Sequence, residues 1–548
     1  MKKLLTSICL ALAASCAAPA LSIPSDPWPG VVGHSRTINT TNAAAQSWFN
    51  QGLLWCYGFN HEEATRCFER AAALDPDCAM AYWGIAYAHG PNINNASMDD
   101  ARSQAAFDAL QEARERMASA SPVERDLIEA LSKRYAWPAP ADRASLDHAY
   151  SDAMRKVFAK YPKDADVGAL SAEAMLDLRP WDQWTKAGEP QPGTLEAIAT
   201  IDRVLAFAPD HPQANHLNIH AREASRKPEL ALASANRLGA LVPGAGHLVH
   251  MPSHIYVRLG MYPESIASNA RAIEVDRTYV ERETGGGIYS IYRAHNAHFL
   301  VYAAMFDGQS ALALERARAM ASDLAQHGDA PLRPILDGFF SAPLHVLVRF
   351  GRWDAILHEP EPPSDLPMTA AVRHYARGLA LAALGRVDEA DVERAAFDAA
   401  FEKVGADASF GNNKMRTVLE IGRAMLAGEV EYRRGNHDKA FEHLRDAVRR
   451  DEELKYDEPW GWMQPAAHAL GALLLEQGRV DDAEAVYRRD LERHRTNGWA
   501  LHGLAECLER KGDAAGAETT RKQFAESWKR ADVKIGASCF CRTGASTP

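Results

Sequence analysis

Apolar and small residues in this chain come in paired helical blocks set apart by single turn residues. In "SWFNQGLLWCYGFNHEEATRCFERAAALDP", Trp48, Gly52 and Trp55 mark one block, Ala64, Phe68 and Ala71 the next, and Pro76 closes the pair. Small residues fall where two such helices would meet, and the proline cannot continue the second helix. This pattern predicts an antiparallel helix hairpin. The same punctuation returns at Gly260, Gly308, Gly351, Gly385, Gly435, Gly478 and Gly512, each followed by an apolar helix. Gly351 and Gly385 are 34 residues apart, and so are Gly478 and Gly512. No stretch alternates with the strand period over a useful length. The predicted architecture is an all-α solenoid of about ten hairpins, covering residues 45–531 with its weakest pattern between 100 and 200. Pro- and Gly-rich breaks at 136–143, 187–194, 283–287 and 359–365 read as connectors.

The order aromatic, Gly, aromatic, then Ala-x-x-x-Phe, then Pro resembles the tetratricopeptide repeat. The resemblance covers most of 45–531 and implies a right-handed solenoid. It also implies that positions 2, 5, 9, 12 and 13 of each leading helix line a concave groove, while positions 4, 7, 8 and 11 pack. "HLVHMPSHI" (247–255) further resembles a histidine-rich helix of a group of exported bacterial tetratricopeptide proteins. That second likeness implies a fold and no activity.

With the turn glycine at position 15, Gly260 makes Gly246 position 1, so His247, His250 and His254 fall on positions 2, 5 and 9. Pro212 opens the preceding leading helix and puts His216 and His220 on positions 5 and 9, each 34 residues before His250 and His254. Gly308 makes Ala294 position 1 and puts His295 and His298 on positions 2 and 5. Seven histidines thus take groove positions in three consecutive repeats, on helices that pack about 8–10 Å apart. An earlier leading helix from Ala165 adds Glu173 at position 9 and Asp177 at position 13. Arg258, at position 13, is placed to meet an anionic substrate, and His345 maps to position 9 of the repeat closed by Gly351. His468 and His502 echo position 5 further on. Pro252 requires either a kinked helix or one that starts there, leaving His247 and His250 on a loop.

Neutral imidazoles are poor anion clamps and common metal ligands. His-x-x-x-His on one helix face is chelating geometry, and it appears in 216–220 and 250–254. The expected site holds a divalent transition metal (copper, zinc or iron) on His216, His220, His247, His250, His254, His295 and His298, with Glu173 as a carboxylate ligand. Two pairs can serve one ion or two. The alternative is a groove that binds a small molecule, peptide or partner protein without metal. Cys539 and Cys541, in "SCFC", are candidate soft thiolate ligands, or else a terminal disulfide or free thiols. His34, His61, His211 and His437 read as satisfied core or surface residues. His-Glu-x-x-His, Walker and Gly-x-Ser-x-Gly motifs are missing.

A formal charge of -11 over 548 residues argues against a nucleic-acid partner. Lys2 and Lys3 precede an apolar run, Leu4–Ala14, and Ala18-Pro19-Ala20 offers a cleavage site. This predicts a signal peptide over 1–20, an extended segment over 21–44, no transmembrane span and export to the periplasm. Lipidation at Cys16 is the less favoured alternative, because Ala13-Ala14-Ser15 makes a poor lipoprotein signal. Residues 532–548 form the remaining tail.

Overall fold

The computed structural model describes residues 26–282, 287–327 and 332–543. The signal peptide, Cys16, most of the 283–287 connector and the last five residues lie outside that set. Helix hairpins follow one another from Ala43–Tyr57 with His61–Leu74 to Gly498–Arg510 with Ala514–Ser527. The weakly patterned stretch from 100 to 200 also folds as hairpins, including Ala165–Leu176 with Thr194–Phe207. The one sheet among the described residues is a two-stranded ribbon, Ser409–Phe410 against Asn413–Lys414. Among the described residues, no helix is long and apolar enough to cross a membrane.

The seven turn glycines all have positive φ, from 60° at Gly351 to 82° at Gly435. A residue with a Cβ is strained there, which is why glycine marks each hairpin. Inside the first hairpins the small residues do a different job. Gly52 and Gly84 sandwich the Phe68 ring, and a Cβ on either would lie 2.7 Å or 2.4 Å from it. Phe68 is thereby fully buried between two neighbouring helices.

The buried side chains form two clusters, one spanning Trp28 to Tyr292 and the other Val257 to Cys541. They meet at the leading helix around residues 246–258, where the histidines are concentrated. The chain also returns on itself. Trp499 Nε1 donates to the Met305 carbonyl at 3.0 Å, and Thr496 Oγ1 donates to the Gly260 carbonyl at 2.7 Å. Asp532 accepts from the backbone amides of Ser310 (2.7 Å) and Ala311 (2.8 Å), capping the Ser310–His327 helix. At the other end, the 26–42 segment is tied down through Gly244 N to the Gly30 carbonyl, 3.0 Å, and Trp28 Nε1 to Glu63 Oε1, 2.5 Å.

Gly84→Ala forces a methyl group against the Phe68 ring. A loss of about 1–3 kcal/mol is expected, read as a lower denaturation midpoint with helical content retained.

Candidate metal centre

The Pro212–Glu223 helix opens with a proline at its first position, and the His211 ring accepts from the Ala214 amide at 3.2 Å. Ala214, Leu217 and Ala221 face the core and fix its rotation. Along the next leading helix Pro252 interrupts the hydrogen-bond ladder. The result is two short helices in line, Gly246–His250 and Pro252–Arg258, joined by Met251 in helical conformation. His247 and His250 are therefore helical, and the break leaves the face they share with His254 intact. His295 comes from Tyr289–Phe306, which starts five residues earlier than the repeat numbering places it.

Six of the seven histidines come together as two triads. The ligating atoms of His216, His220 and His247 lie within 4.8 Å of one another, and so do those of His250, His254 and His295. All are buried except His295, which is half-buried. The seven were expected to line an open groove; instead this part of it is filled. Phe59 packs on the rings of His216, His220 and His247, Tyr292 on His247, and Phe299 on His250, His254 and His295.

Hydrogen bonds set the tautomers. His216 Nδ1 donates to the Tyr57 carbonyl at 2.7 Å, His220 Nδ1 to Glu223 Oε1 at 2.8 Å, and His250 Nδ1 to Asn269 Oδ1 at 2.6 Å. His254 Nδ1 donates to the other oxygen of Glu223. The Asn269 amide nitrogen is itself used on the Ser265 carbonyl, so its oxygen is the atom turned to His250. Each ring has a carbonyl or carboxylate acceptor on Nδ1, and on His250 that acceptor is nearer than the Ser253 hydroxyl at 3.3 Å. All four rings therefore carry their proton on Nδ1 and present a bare Nε2. Those bare nitrogens face each other: His216 Nε2 is 3.0 Å from His220 Nε2, and His250 Nε2 is 2.9 Å from His254 Nε2. Lone pair against lone pair is repulsive. An extra proton or a metal ion between them would relieve that repulsion. Nitrogens that close both fit within the roughly 2.0–2.1 Å bonding distance of one ion.

His247 adds a second sign. It is buried, and neither of its ring nitrogens has a hydrogen-bond partner. Burial lowers the proton affinity of His216, His247, His250 and His295 well below the usual histidine range, and neighbouring imidazoles lower it further. For His220 burial again leads, and the ring is also shifted down. Burial disfavours charge on Glu223, yet His254 and His220 on its two oxygens hold the carboxyl below the usual carboxylate range. An anionic Glu223 with one histidine on each oxygen is the outer support that metal-ligating imidazoles usually have. Filled with a metal, such pockets supply Lewis acidity and water activation.

The other sequence candidates lie elsewhere. Glu173 accepts from the Tyr87 hydroxyl, and Asp177 pairs with Arg134 at 2.7 Å. Neither is grouped with a triad: the carboxylates grouped with His254 are Glu223 and Glu458. Asp177 is buried, which pushes its carboxyl up to about 8 despite the arginine. His298 packs against Phe339 and Phe410, and His345 against Trp462, where burial lowers both to about 3. Arg258 donates to the Ser225 carbonyl at 3.2 Å and lies over the Tyr456 ring. Cys539 and Cys541 are joined in a disulfide and offer no thiolate, and Ser538 beside them donates to the His468 carbonyl. His468 accepts a bond from Arg349 and bonds Asp490, while His502 packs on Phe524. His34 and His211 share Asp166 with Arg36 and Tyr57, a carboxylate already neutralised by its own partners.

Sequence reasoning passed over Glu223, Tyr57, Asn269 and Glu458. Glu223 sits three residues after His220, at groove position 12, so its signal was present. Glu458 comes from a loop some 200 residues away and was not findable. It is buried, lies within 4.8 Å of Glu223 and His254 ligating atoms, and one of its oxygens has no partner.

No protein-family model and no curated protein matches the chain. Among solved structures, a human IFIT1 dimer with m7Gppp-AAAA aligns at 12% identity and TM-score 0.32, covering 90% of this chain and 91% of that one. Yeast Tom70 aligns at 12% and 0.31, covering 88% and 90%. An APC/C Cut9–Hcn1 hetero-tetramer aligns at 13% and 0.29, covering 91% and 76%. Likeness at these scores says nothing about the histidine site.

Because the His247 nitrogens are unpartnered, His247→Leu in chelator-treated protein is expected to be neutral or stabilising by about 1 kcal/mol. His250→Leu strands Asn269 and is expected to cost about 1–3 kcal/mol. Urea denaturation of the two variants against wild type checks the contrast.

Proposed function

We propose that this chain is an exported helical-repeat metalloprotein that holds a divalent transition metal on its buried histidine cluster, for metal binding or metal-dependent chemistry. The observation that carries the reading is the pair of bare Nε2 contacts, 3.0 Å and 2.9 Å, each built from rings whose other nitrogen is committed to an acceptor. Without metal, each contact needs an added proton, which places two buried imidazolium ions beside one carboxylate, Glu223. A metal ion satisfies each contact without that crowding. All-imidazole ligation suits copper and zinc, and iron where a carboxylate joins. The alternative, a groove for a peptide or partner protein, has less support at this place: a ligand there would first have to displace Phe59 and Phe299. The export expectation rests on the N-terminal sequence alone.

Protein purified without a histidine tag is expected to carry a transition metal, measured by elemental mass spectrometry. His216→Ala/His250→Ala is expected to lose it while keeping its helical circular dichroism. Wild-type protein that neither retains metal nor takes it up from a copper or zinc solution sinks the reading. Glu223→Gln removes the charge that orients His220 and His254. A roughly 10–100-fold weaker metal affinity is expected, measured by competition with a chromogenic chelator.

A further inference from the structure

The two triads are copies of one site, displaced by a repeat. His216 and His220 stand at positions 5 and 9 of their leading helix and are joined by His247, at position 2 of the next. His250 and His254 stand at positions 5 and 9 and are joined by His295, at position 2 of the helix after. In both copies a His-x-x-x-His pair on one hairpin meets a single imidazole from its successor, and in both the position 9 ring leans on Glu223. The chain carries the same three positions one repeat earlier and one repeat later. Earlier they are Ala169, Glu173 and Gln213, which offer no imidazole, and Glu173 accepts from the Tyr87 hydroxyl. Later they are His298, Tyr302 and Gly338, where a Cβ on Gly338 would meet the Phe410 ring at 2.4 Å. The series of three-imidazole pockets is therefore bounded on both sides. It also explains why Glu173 and His298, both at groove positions, stand apart from the cluster.

Resting on the metal-binding reading, we propose that the chain binds two transition-metal ions, one in each copy, with Glu223 bracing both pockets. Among the described residues, no set of ligating atoms drawn from both triads is as tight as either triad itself. A single ion shared among all six rings would have to pull the two facing pairs apart. Two ions leave each pair as it stands. The pockets are neighbours: ring centroids are 6.0 Å apart for His220 and His254 and 5.9 Å for His247 and His250. Ions in both would be close enough to sense each other magnetically. Each ion also ties two successive hairpins together, so the pair fastens three consecutive repeats across the boundary between the two buried clusters.

Untagged, chelator-stripped protein is titrated with copper(II) and, separately, zinc(II), and bound metal is counted after equilibrium dialysis. Two equivalents are expected for wild type. One is expected for His216→Ala/His220→Ala, one for His250→Ala/His254→Ala, and none when the two variants are combined. The copper-loaded wild type is expected to show a dipole-broadened electron paramagnetic resonance spectrum with a half-field transition. The spectrum of each half-site variant should be that of an isolated copper ion. A single equivalent in wild type overturns the pairing and leaves metal binding standing, and so does the loss of all metal on removing either pair. No metal in wild type overturns metal binding itself. Should a variant fail to fold, the wild-type spectrum decides: an isolated-ion signal at saturating copper rules out the pair.

Discussion

Two imidazole nitrogens held 3.0 Å apart, and two more at 2.9 Å, are the contacts around which this part of the molecule is organised. A buried lone pair is costly when it has no partner and costlier when it faces another lone pair. The surrounding structure keeps the rings there all the same. Tyr57 and Asn269 each accept a hydrogen bond from one ring, and Glu223 accepts one from each of two. Phe59, Tyr292 and Phe299 wall the rings off from water. The acceptors on Nδ1 hold the four rings in this orientation. A positive charge between the nitrogens, as in the proposed metal site, would relieve that repulsion.

Repetition makes this arrangement available twice. A helical hairpin that recurs every 34 residues returns side chains to equivalent places on adjacent helices, so one chelating helix face becomes two. Glu223 breaks the symmetry, because a single carboxylate serves the position 9 ring of both copies. The 48-residue step from His247 to His295 is longer than the 34-residue step between the pairs. Yet both single histidines reach their triads, because much of the added length is helical: Tyr262–Arg282 runs to 21 residues, and Tyr289–Phe306 begins five residues before Ala294. The insertion lengthens the helices on either side of the connector and leaves the packed faces in phase.

The cluster lies where the two buried clusters meet, and groups distant in sequence close around it. Tyr57 and Phe59 arrive from the end of the first helix, and Glu458 from the loop that follows the helix His437–Glu453. The C-terminal hairpins reach it because the array folds back, with Trp499 on Met305 and Thr496 on Gly260. Ser538, beside the Cys539–Cys541 disulfide, bonds His468 and Tyr487 among the last hairpins, and none of the described tail residues joins a triad.

Local rules were enough for the hairpins, their turn glycines and the phase of the histidines. Helix periodicity, glycine at positive φ and proline at helix ends act over a few residues and are written in order along the chain. The same phase put His216, His220, His247, His250, His254 and His295 on shared faces. It could not separate them from His298 or Glu173, which obey the same numbering one repeat away. Tertiary structure decided that division, because a site built from two adjacent hairpins needs the right residue at three places at once, and Gly338 and Gln213 fail that requirement. It also decided that the groove is filled, that Glu223 and Glu458 are the carboxylates grouped with His254, and that Cys539 and Cys541 bond each other. Each of these depends on which distant segment comes to rest against a helix face, and that follows from packing the whole chain rather than from the spacing of any part of it.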